Sequence, residues 1–367
     1  MIGLALALVH FCVPLAYYFY MRFSWLGKPW NIKRVSGYKP SICVVIPTFN
    51  EADFIWRKLD DVYRQNYPRD KLRIVVVDSA SNDGTDEIVE KWIGMHRDVN
   101  ALLIREPVRR GKSIALNNAL KHVSEEVVVI TDADSLWLSE NTLARVAEFF
   151  ADSIVAAVSC LKKCSGLGVS SIEESYREFY NIIRLAESKA WSTPIFHGEL
   201  AAFRRSFLER IGGFPTDIGA DDSYTAAIAA LTGFRAITPE DVLCMEFAPR
   251  KGYAMWRIRR AQHLTQSFAK ILKHIGKHNA PKQFKAILLT EAYLHLANPW
   301  LLPTAATLLV CSAIMGEALA TIILVLGALL LLYKPFRTWV SMQIFLVAAM
   351  IRNLWAKEIV WSKQRKQ

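Results

Sequence analysis

The sequence contains few cysteines, and they form neither a disulfide framework nor a zinc motif. Only six occur among 367 residues. Cys12 and Cys311 lie in apolar segments, and Cys43 lies in a predicted strand. Cys160 and Cys164 have no second pair and no histidine at zinc-binding spacing. We therefore expect reduced thiols that take no part in metal binding.

Charged residues are absent from positions 1–21, a stretch about long enough to span a bilayer. A cleaved signal peptide would begin with basic residues and end at a small-residue cleavage site, and this segment has neither. The residues that follow resemble the interfacial belt of a transmembrane helix, with Arg22, Trp25, Lys28 and Trp30. The segment is therefore predicted to be an uncleaved anchor.

A second apolar region covers residues 286–356. It is interrupted at Asn298-Pro299, at Gly316-Glu317 and at residues 333–337. These interruptions predict two or three further crossings, with an additional helix as a candidate to lie in the membrane interface.

Acidic residues are also absent between Phe247 and Thr290, where basic residues accumulate: Arg250, Lys251, Arg257, Arg259, Arg260, Lys270, Lys273, Lys277, Lys282 and Lys285. Such a surface beside membrane segments favours anionic lipid headgroups. The positive-inside rule places the basic flank of the anchor, and hence the central domain, in the cytoplasm of a multi-pass cell-membrane protein. The basic tail at 357–367 favours a cytoplasmic C-terminus as well. Three C-terminal crossings after a cytoplasmic domain would place that terminus on the other side of the membrane.

The net charge of +11 is also compatible with nucleic-acid binding. However, no nucleic-acid-binding motif is present, and the positive charge is concentrated beside apolar segments. We therefore expect a membrane and no nucleic acid as partner; the oligomeric state is not readable from the sequence. The predicted organisation is an anchor at 1–21, a basic linker at 22–40, a folded domain at 41–245, basic amphipathic helices at 246–285, a membrane block at 286–356 and a basic tail at 357–367.

Predicted strands alternate with predicted helices in the first part of the folded domain. Strands are expected at 41–49, 72–80, 101–106 and 126–134, and helices at 52–66, 86–96 and 113–123. This order is typical of a doubly wound, mostly parallel α/β sheet, which binds ligands at the carboxyl ends of its strands. The predicted fold class is therefore an α/β domain joined to α-helical transmembrane segments.

Polar residues cluster at these strand ends. In particular, the fourth predicted strand is followed by Asp132 and Asp134, whose carboxylates would crowd two negative charges together on one face of a strand. Either a cation offsets them or the strand opens into a loop there. Both interpretations point to a divalent metal with oxygen ligands.

Residues 109–113, RRGKS, match half of a phosphate-binding P-loop. Glu106 stands where the full motif requires a glycine, five positions before Gly111. A P-loop ATPase is therefore not predicted, and Lys112 is expected to meet a phosphate only as an isolated cation.

Taken in order and spacing, four motifs resemble the nucleotide-sugar-binding half of a family-2 glycosyltransferase with a GT-A fold: VVIPTFNE at 44–51, VVVDSASNDGT at 75–85, RRGKSIALNNAL at 109–120 and DAD at 132–134. The resemblance continues through 196–215 and 219–236 and covers about residues 41–265. It implies an inverting enzyme that uses a nucleotide-sugar donor and Mg²⁺ or Mn²⁺.

The resemblance assigns roles to the residues of these motifs. Donor-binding residues would be Pro47, Thr48, Glu51, Asp78, Asp83, Lys112 and Asp132, with Asp78 accepting hydrogen bonds from the base. Asp134 would bind the metal, and Asp132 would touch the metal or the sugar. The metal would act as a Lewis acid on the diphosphate leaving group. Asp83 with Gly84 also fits a plain turn ahead of a helix.

Asp221 and Asp222 begin a predicted helix, where capping is the simplest function of a carboxylate. They also match the family's acidic motif, whose second member, Asp222, would deprotonate the acceptor hydroxyl as general base. A base favours a hydroxyl acceptor, on a membrane lipid or lipid-linked sugar, over the phosphate used by polyprenyl-phosphate glycosyl synthases resembling dolichol-phosphate-mannose synthase.

Processive members of the family carry a Gln-x-x-Arg-Trp motif, and this chain departs from it. Trp256 stands in the Gln place and Arg260 in the Trp place, while Arg259 matches. The departure puts processive polysaccharide synthesis in doubt. Arg257, Arg259 and Arg260 are instead candidates to bind the donor diphosphate, or an acceptor phosphate, unless they lie on a solvated basic helix.

The donor is not readable from these residues. We favour GDP-mannose over a UDP-hexose because the non-processive, lipid-directed pattern resembles mannosyl transfer. A contrasting hypothesis is an inactive membrane scaffold that binds nucleotide-sugars. It is disfavoured because Asp132, Asp134 and Asp222 are all present, and a scaffold has no need of a base beside a metal site.

Overall fold

The structure is a computed structural model that describes residues 1–164, 171–247, 249 and 252–356. Arg250 and Lys251 of the predicted basic surface, and the predicted basic tail at 357–367, lie outside the described residues. The strands are β1 (Ile42–Thr48), β2 (Leu72–Asp78), β3 (Asn100–Arg105), β4 (Val127–Ile130), β5 (Leu136–Trp137), β6 (Val155–Ser159), β7 (Leu161–Cys164), β8 (Ala201–Arg204), β9 (Arg235–Ile237) and β10 (Leu243–Glu246).

Helices precede, separate and follow these strands. They are α1 (Ile2–Ser24), α2 (Ile55–Tyr63), α3 (Thr85–Met95), α4 (Lys112–Leu120), α5 (Thr142–Phe149), α6 (Ser171–Ala190), α7 (Arg205–Ile211), α8 (Asp221–Leu231), α9 (Tyr253–Leu272), α10 (Lys282–Ala292), α11 (Asn298–Ile314), α12 (Ala318–Leu330) and α13 (Lys334–Arg352). A 3₁₀ turn covers Arg69–Lys71, and a π-helical segment covers Tyr293–Ala297.

A seven-stranded sheet in the order β3-β2-β1-β4-β8-β6-β9 forms the centre of the folded domain. The pairs along β3-β2-β1-β4 are parallel, and β8 is antiparallel to both of its neighbours. The strands β1, β2 and β4 are runs of valine and isoleucine buried on both faces, as expected for parallel strands covered by helices. The predicted mostly parallel α/β fold is therefore confirmed. A small sheet, β5-β10-β7, lies beside it.

Three predicted elements are wrong by three or more residues at an end, and one of them is the helix predicted at 113–123, which ends at Leu120. The fourth strand ends at Ile130 instead of 134, so Asp132 and Asp134 lie in a loop. This removes the crowding expected on a strand face. The helix predicted at 52–66 covers only Ile55–Tyr63, because the residues before it bond to the neighbouring loop after β2.

Within the described ranges, two helices are long and apolar enough to cross a membrane, α1 and the continuous helix at 282–314. The break predicted at Asn298-Pro299 is therefore wrong. Proline lacks an N–H group, and the π-helical turn before it rearranges the local hydrogen bonds so that the helix continues. The interruptions predicted after α11 and between α12 and α13 are present.

The last two helices, α12 and α13, meet at an angle of 103° and would make a third span only if taken together. Along α12, Ala320 is the one buried residue, and its other apolar side chains are partly or fully exposed. By contrast, the end of α13 packs on α9, where the Gln262 side chain donates to the Ala356 carbonyl at 2.9 Å. The described chain therefore returns to the folded domain.

Candidate active site

A cleft of about 340 Å³ opens at the carboxyl ends of β1 and β4 and extends to α9 and α13. The predicted site residues that line it are Pro47, Thr48, Glu51, Lys112, Asp132, Asp134, Asp221, Asp222, Arg259 and Arg260. Two others, Asp78 and Asp83, are outside this lining. The structure thus brings together residues from five separate segments of the chain.

Asp78 and Asp83 connect the loops that follow β1 and β2. The Asp78 carboxylate accepts hydrogen bonds from the Thr48 hydroxyl at 3.1 Å and the Ser81 hydroxyl at 2.5 Å. Asp83 accepts from the Ala52 N–H at 3.2 Å and from the Thr85 hydroxyl at 2.5 Å. These bonds fix the loops that present Thr48 and Glu51 to the cleft. Asp83 thus lies in a turn ahead of a helix, the simpler of the two roles that the sequence allowed for it.

Lys112 is the cation at the centre of the acidic part of the cleft. Its Nζ atom lies 2.7 Å from Asp132 Oδ1. Burial acts to lower the pKa of Lys112, but the charges of Asp132, Asp221 and Asp222 outweigh it and raise that pKa above its usual value. A Cβ on Gly198 would lie 2.9 Å from both Asp132 Oδ2 and Lys112 Nζ, so a larger residue there would displace these two side-chain ends.

Asp221 and Asp222 form the first turn of α8, but the N-cap position is Ala220. Asp221 is 3% exposed, whereas Asp222 is partly exposed in the cleft. Burial, reinforced by the neighbouring Asp221, raises the pKa of Asp222 to about 7, and Lys112 opposes the shift. A carboxylate with a pKa near neutrality is suited to accept a proton in catalysis.

A network of buried ion pairs adjoins this acidic part of the cleft. Lys162 Nζ lies 2.8 Å from Glu199 and 3.1 Å from Glu246. Arg260, predicted to bind the donor, pairs with the same two glutamates, and Arg177 lies 2.5 Å from Glu246. Burial and the charges of Arg260 and Arg177 lower the pKa of Lys162 to about 7, although Glu199 opposes them. Arg260 is therefore held by protein carboxylates and is not on a solvated helix face.

Several cleft residues were not predicted as site residues. Arg109 stacks on the Phe49 ring, with its guanidinium carbon 3.7 Å from the ring centroid. His197 lines the cleft beside Gly198, and burial together with Lys162 lowers its pKa. Arg109 and His197 lie within regions of the family resemblance, so the sequence could have predicted them as site residues. Lys162 lies outside every motif, and only the structure shows that it lines the cleft.

The loop before α8 packs closely on His263. A Cβ on Gly219 would lie 2.4 Å from atoms of the His263 ring, so a larger residue there would displace this ring or the loop that leads to Asp222.

The other end of the cleft reaches the membrane block. Arg257 is 7% exposed, and its guanidinium carbon lies 4.6 Å from the Tyr176 ring centroid and 5.2 Å from that of Trp256. His295 lines the cleft too. It is buried together with Glu291 and Asn298, and its Nδ1 atom lies 2.8 Å from the Glu291 carbonyl oxygen.

Comparison with known proteins gives a close structural relative. The structure "Mannosyltransferase PcManGT from Pyrobaculum calidifontis in complex with GDP-Man and Mn2+" is 54% identical to this chain. The match covers 96% of this chain and 98% of that one, with a TM-score of 0.89. S. aureus TarS in complex with UDP, at 20% identity, 69% and 70% coverage and a TM-score of 0.52, shares the fold.

Curated sequences give more distant relatives. A poly-beta-1,6-N-acetyl-D-glucosamine synthase of Staphylococcus epidermidis is 25% identical over 265 residues, which are 69% of this chain and 62% of that protein. The chain spans about three fifths of the length of the curated relatives it matches. The sequence model of the family described as "Glycosyl transferase family 2" matches residues 43–212. The chain therefore belongs to glycosyl transferase family 2 and is a glycosyltransferase.

Proposed function

We propose that the chain is a metal-dependent, inverting mannosyltransferase. It would transfer mannose from GDP-mannose to a hydroxyl group of a membrane lipid or lipid-linked sugar. The observation that carries the reaction type is the presence of Asp134, Lys112 and Asp222 in one cleft. The choice of donor is supported by the 54% identical mannosyltransferase, whose structure contains GDP-Man and Mn2+.

The residues of the cleft fit a hard divalent cation. Asp132 and Asp134 offer carboxylate oxygens in a loop, and Asp132 accepts a hydrogen bond from Lys112, so we assign the cation to Asp134 first. Among the described residues, no cluster of three or more His, Cys, Asp or Glu side chains is placed to hold a metal. The fit is therefore to a cation such as Mg²⁺ or Mn²⁺, which is commonly held by one or two carboxylates together with substrate phosphates.

The chain's own groups have separate tasks in this reaction. Asp222 removes the proton from the acceptor hydroxyl, whose oxygen attacks the anomeric carbon while the bond from that carbon to the diphosphate oxygen breaks. The proton remains on Asp222, and the nucleoside diphosphate leaves with the bonding electrons. A cation bound at Asp134 would stabilise the negative charge on this leaving group. Because one displacement occurs, the anomeric configuration inverts.

The proposed function includes association with a membrane. The helices α1 and 282–314 cross the bilayer in this proposal, and the basic surface around Lys270 and Lys285 faces anionic headgroups on the cytoplasmic side. The curated relatives are polysaccharide synthases, but a single transfer is preferred here because Trp256 and Arg260 replace the Gln and Trp of the processive motif.

Donor and metal are tested by calorimetric titration of the detergent-solubilised protein with GDP-mannose and UDP-glucose, each with Mn²⁺ and with EDTA. We expect GDP-mannose to bind only with Mn²⁺, and Asp134→Ala to abolish that binding because the cation loses its protein ligand. The control Glu140→Ala removes an exposed carboxylate outside the cleft and should bind normally. Binding of UDP-glucose alone would contradict the choice of donor.

The general base is tested by Asp222→Asn. Turnover should fall by about 100- to 10,000-fold, the usual contribution of a general base, while the affinity for GDP-mannose changes little. The matched control is Asp217→Asn, in the same loop but outside the cleft, where turnover should persist. Normal turnover in Asp222→Asn would remove Asp222 from the mechanism.

A further inference from the structure

The helix α13 forms one wall of the catalytic cleft. Met342, Gln343, Phe345 and Leu346 line the same cleft as Asp222, although they come from the C-terminal membrane block. The opposite side of the helix is apolar and open, with Ile344 56% exposed. One helix therefore separates the reaction centre from an apolar outer surface.

Gln343 is the unusual residue of this wall. Its side chain is 2% exposed, and its Oε1 atom is buried without a hydrogen-bond partner in the part of the chain that the structure describes. Burying an amide oxygen without a partner is costly. The buried Thr338 on the same helix behaves differently, because its hydroxyl donates to the Lys334 carbonyl at 3.0 Å.

The chemistry of this oxygen restricts its partner. An amide oxygen only accepts hydrogen bonds, so the partner must carry an O–H or N–H group. A fully ionised phosphate has no such group, whereas a sugar presents several hydroxyls. The side chains that flank Gln343 in the cleft, Phe345 and Leu346, are apolar and suit the chain that carries such a sugar.

We propose that Gln343 binds the acceptor by accepting a hydrogen bond from a sugar hydroxyl of a glycolipid whose apolar chain lies along α13. This inference rests on the proposed function and specifies its acceptor as a lipid that already carries a sugar. The Gln343 contact would hold the sugar headgroup so that another of its hydroxyls reaches Asp222.

The test compares three variants in an assay of labelled-sugar transfer to a lipid extract of membranes from the source organism. The donor is whichever nucleotide-sugar binds in the calorimetric titration. We expect Gln343→Leu to raise the extract concentration that gives half-maximal transfer by about tenfold, the effect of one lost hydrogen bond, without altering donor affinity. Gln343→Glu keeps an accepting oxygen and should restore transfer to within about threefold of the wild type. Thr338→Val, the matched control, should transfer normally.

The labelled product identifies the acceptor. Mild acid cleaves a sugar from a lipid phosphate and leaves glycosidic bonds intact. A glycolipid acceptor linked through phosphate should therefore release the label in a saccharide of two or more units, and one linked glycosidically should keep the label on a lipid whose complete hydrolysis yields a second, unlabelled sugar. Release of labelled monosaccharide would overturn the proposal in favour of a phosphate acceptor. Normal transfer by Gln343→Leu at every extract concentration would overturn it too, with the donor still bound. Absence of donor binding would instead refute the proposed function on which the inference depends.

Discussion

At the scale of single residues, the environment of Asp222 determines when this site can act as a base. Burial and Asp221 favour the neutral carboxyl form, and Lys112 favours the carboxylate. The balance leaves the group half ionised near pH 7, whereas an exposed aspartate would be ionised from about pH 4 upward. The same carboxylate can therefore accept a proton from a hydroxyl more readily than an ordinary aspartate.

This balance predicts a pH dependence. A base must be ionised to act, so kcat/KM should fall about tenfold per pH unit below pH 7 and level off above it. The measurement is the rate of transfer between pH 5.5 and 8.5, with donor affinity followed in parallel to separate catalysis from binding. A rate that is flat across this range would show that Asp222 does not titrate near neutrality.

At the scale of elements, the junction between the anchor and the folded domain is held by buried charges. Arg184 of α6 donates to Glu187 at 2.7 Å and to Glu291 of α10 at 3.1 Å. The Tyr17 hydroxyl of α1 donates to the same Glu187 at 2.7 Å. Three helices from distant parts of the sequence are thus joined through Arg184 and Glu187 of α6.

Removal of that arginine should destabilise the junction. Arg184→Met leaves the carboxylates of Glu187 and Glu291 buried without their cation, a loss of about 3–5 kcal/mol. We expect the apparent melting temperature in detergent to fall by about 5–10 °C. Glu178→Met, at an exposed position of the same helix, is the matched control and should melt like the wild type. An unchanged melting temperature for Arg184→Met would contradict the role of this junction.

Element by element, the sequence is informative where a pattern is local. The long valine and isoleucine runs of β1, β2 and β4, and the polar residues after them, could be predicted because strand and turn preferences act over a few neighbours. Short strands such as β5 and β9 could not be predicted, since two or three residues carry no period and pair only through the distant chain. The pairing of Lys162 with Glu199 is equally non-local.

At the scale of the whole molecule, the path of the chain relates the membrane block to the cleft. The helices α1 and α11 contact each other near their far ends, where a Cβ on Gly3 would lie 3.1 Å from Leu309. The chain then bends back through α12 and α13 until Asn353 bonds to Gln262 and Gln266 of α9. The proposed membrane arrangement therefore has two full crossings, α1 and 282–314, and a bent return of the chain through α12 and α13 to the side of the folded domain. If α12 runs along the bilayer normal, α13 lies near the membrane surface.

This path predicts on which side of the membrane each loop lies. A protease site inserted between Gly316 and Glu317 should be cut only from the side opposite the folded domain. A second site, placed in the linker at Ser36, should be cut only from the side of that domain. A third, added after Gln367, should be cut from this same side, because α13 ends against α9. Digestion of sealed vesicles of both orientations measures all three. Cutting at the first and third sites from the same side would mean that α12 and α13 do not return across the bilayer, which would place the wall containing Gln343 away from the cleft.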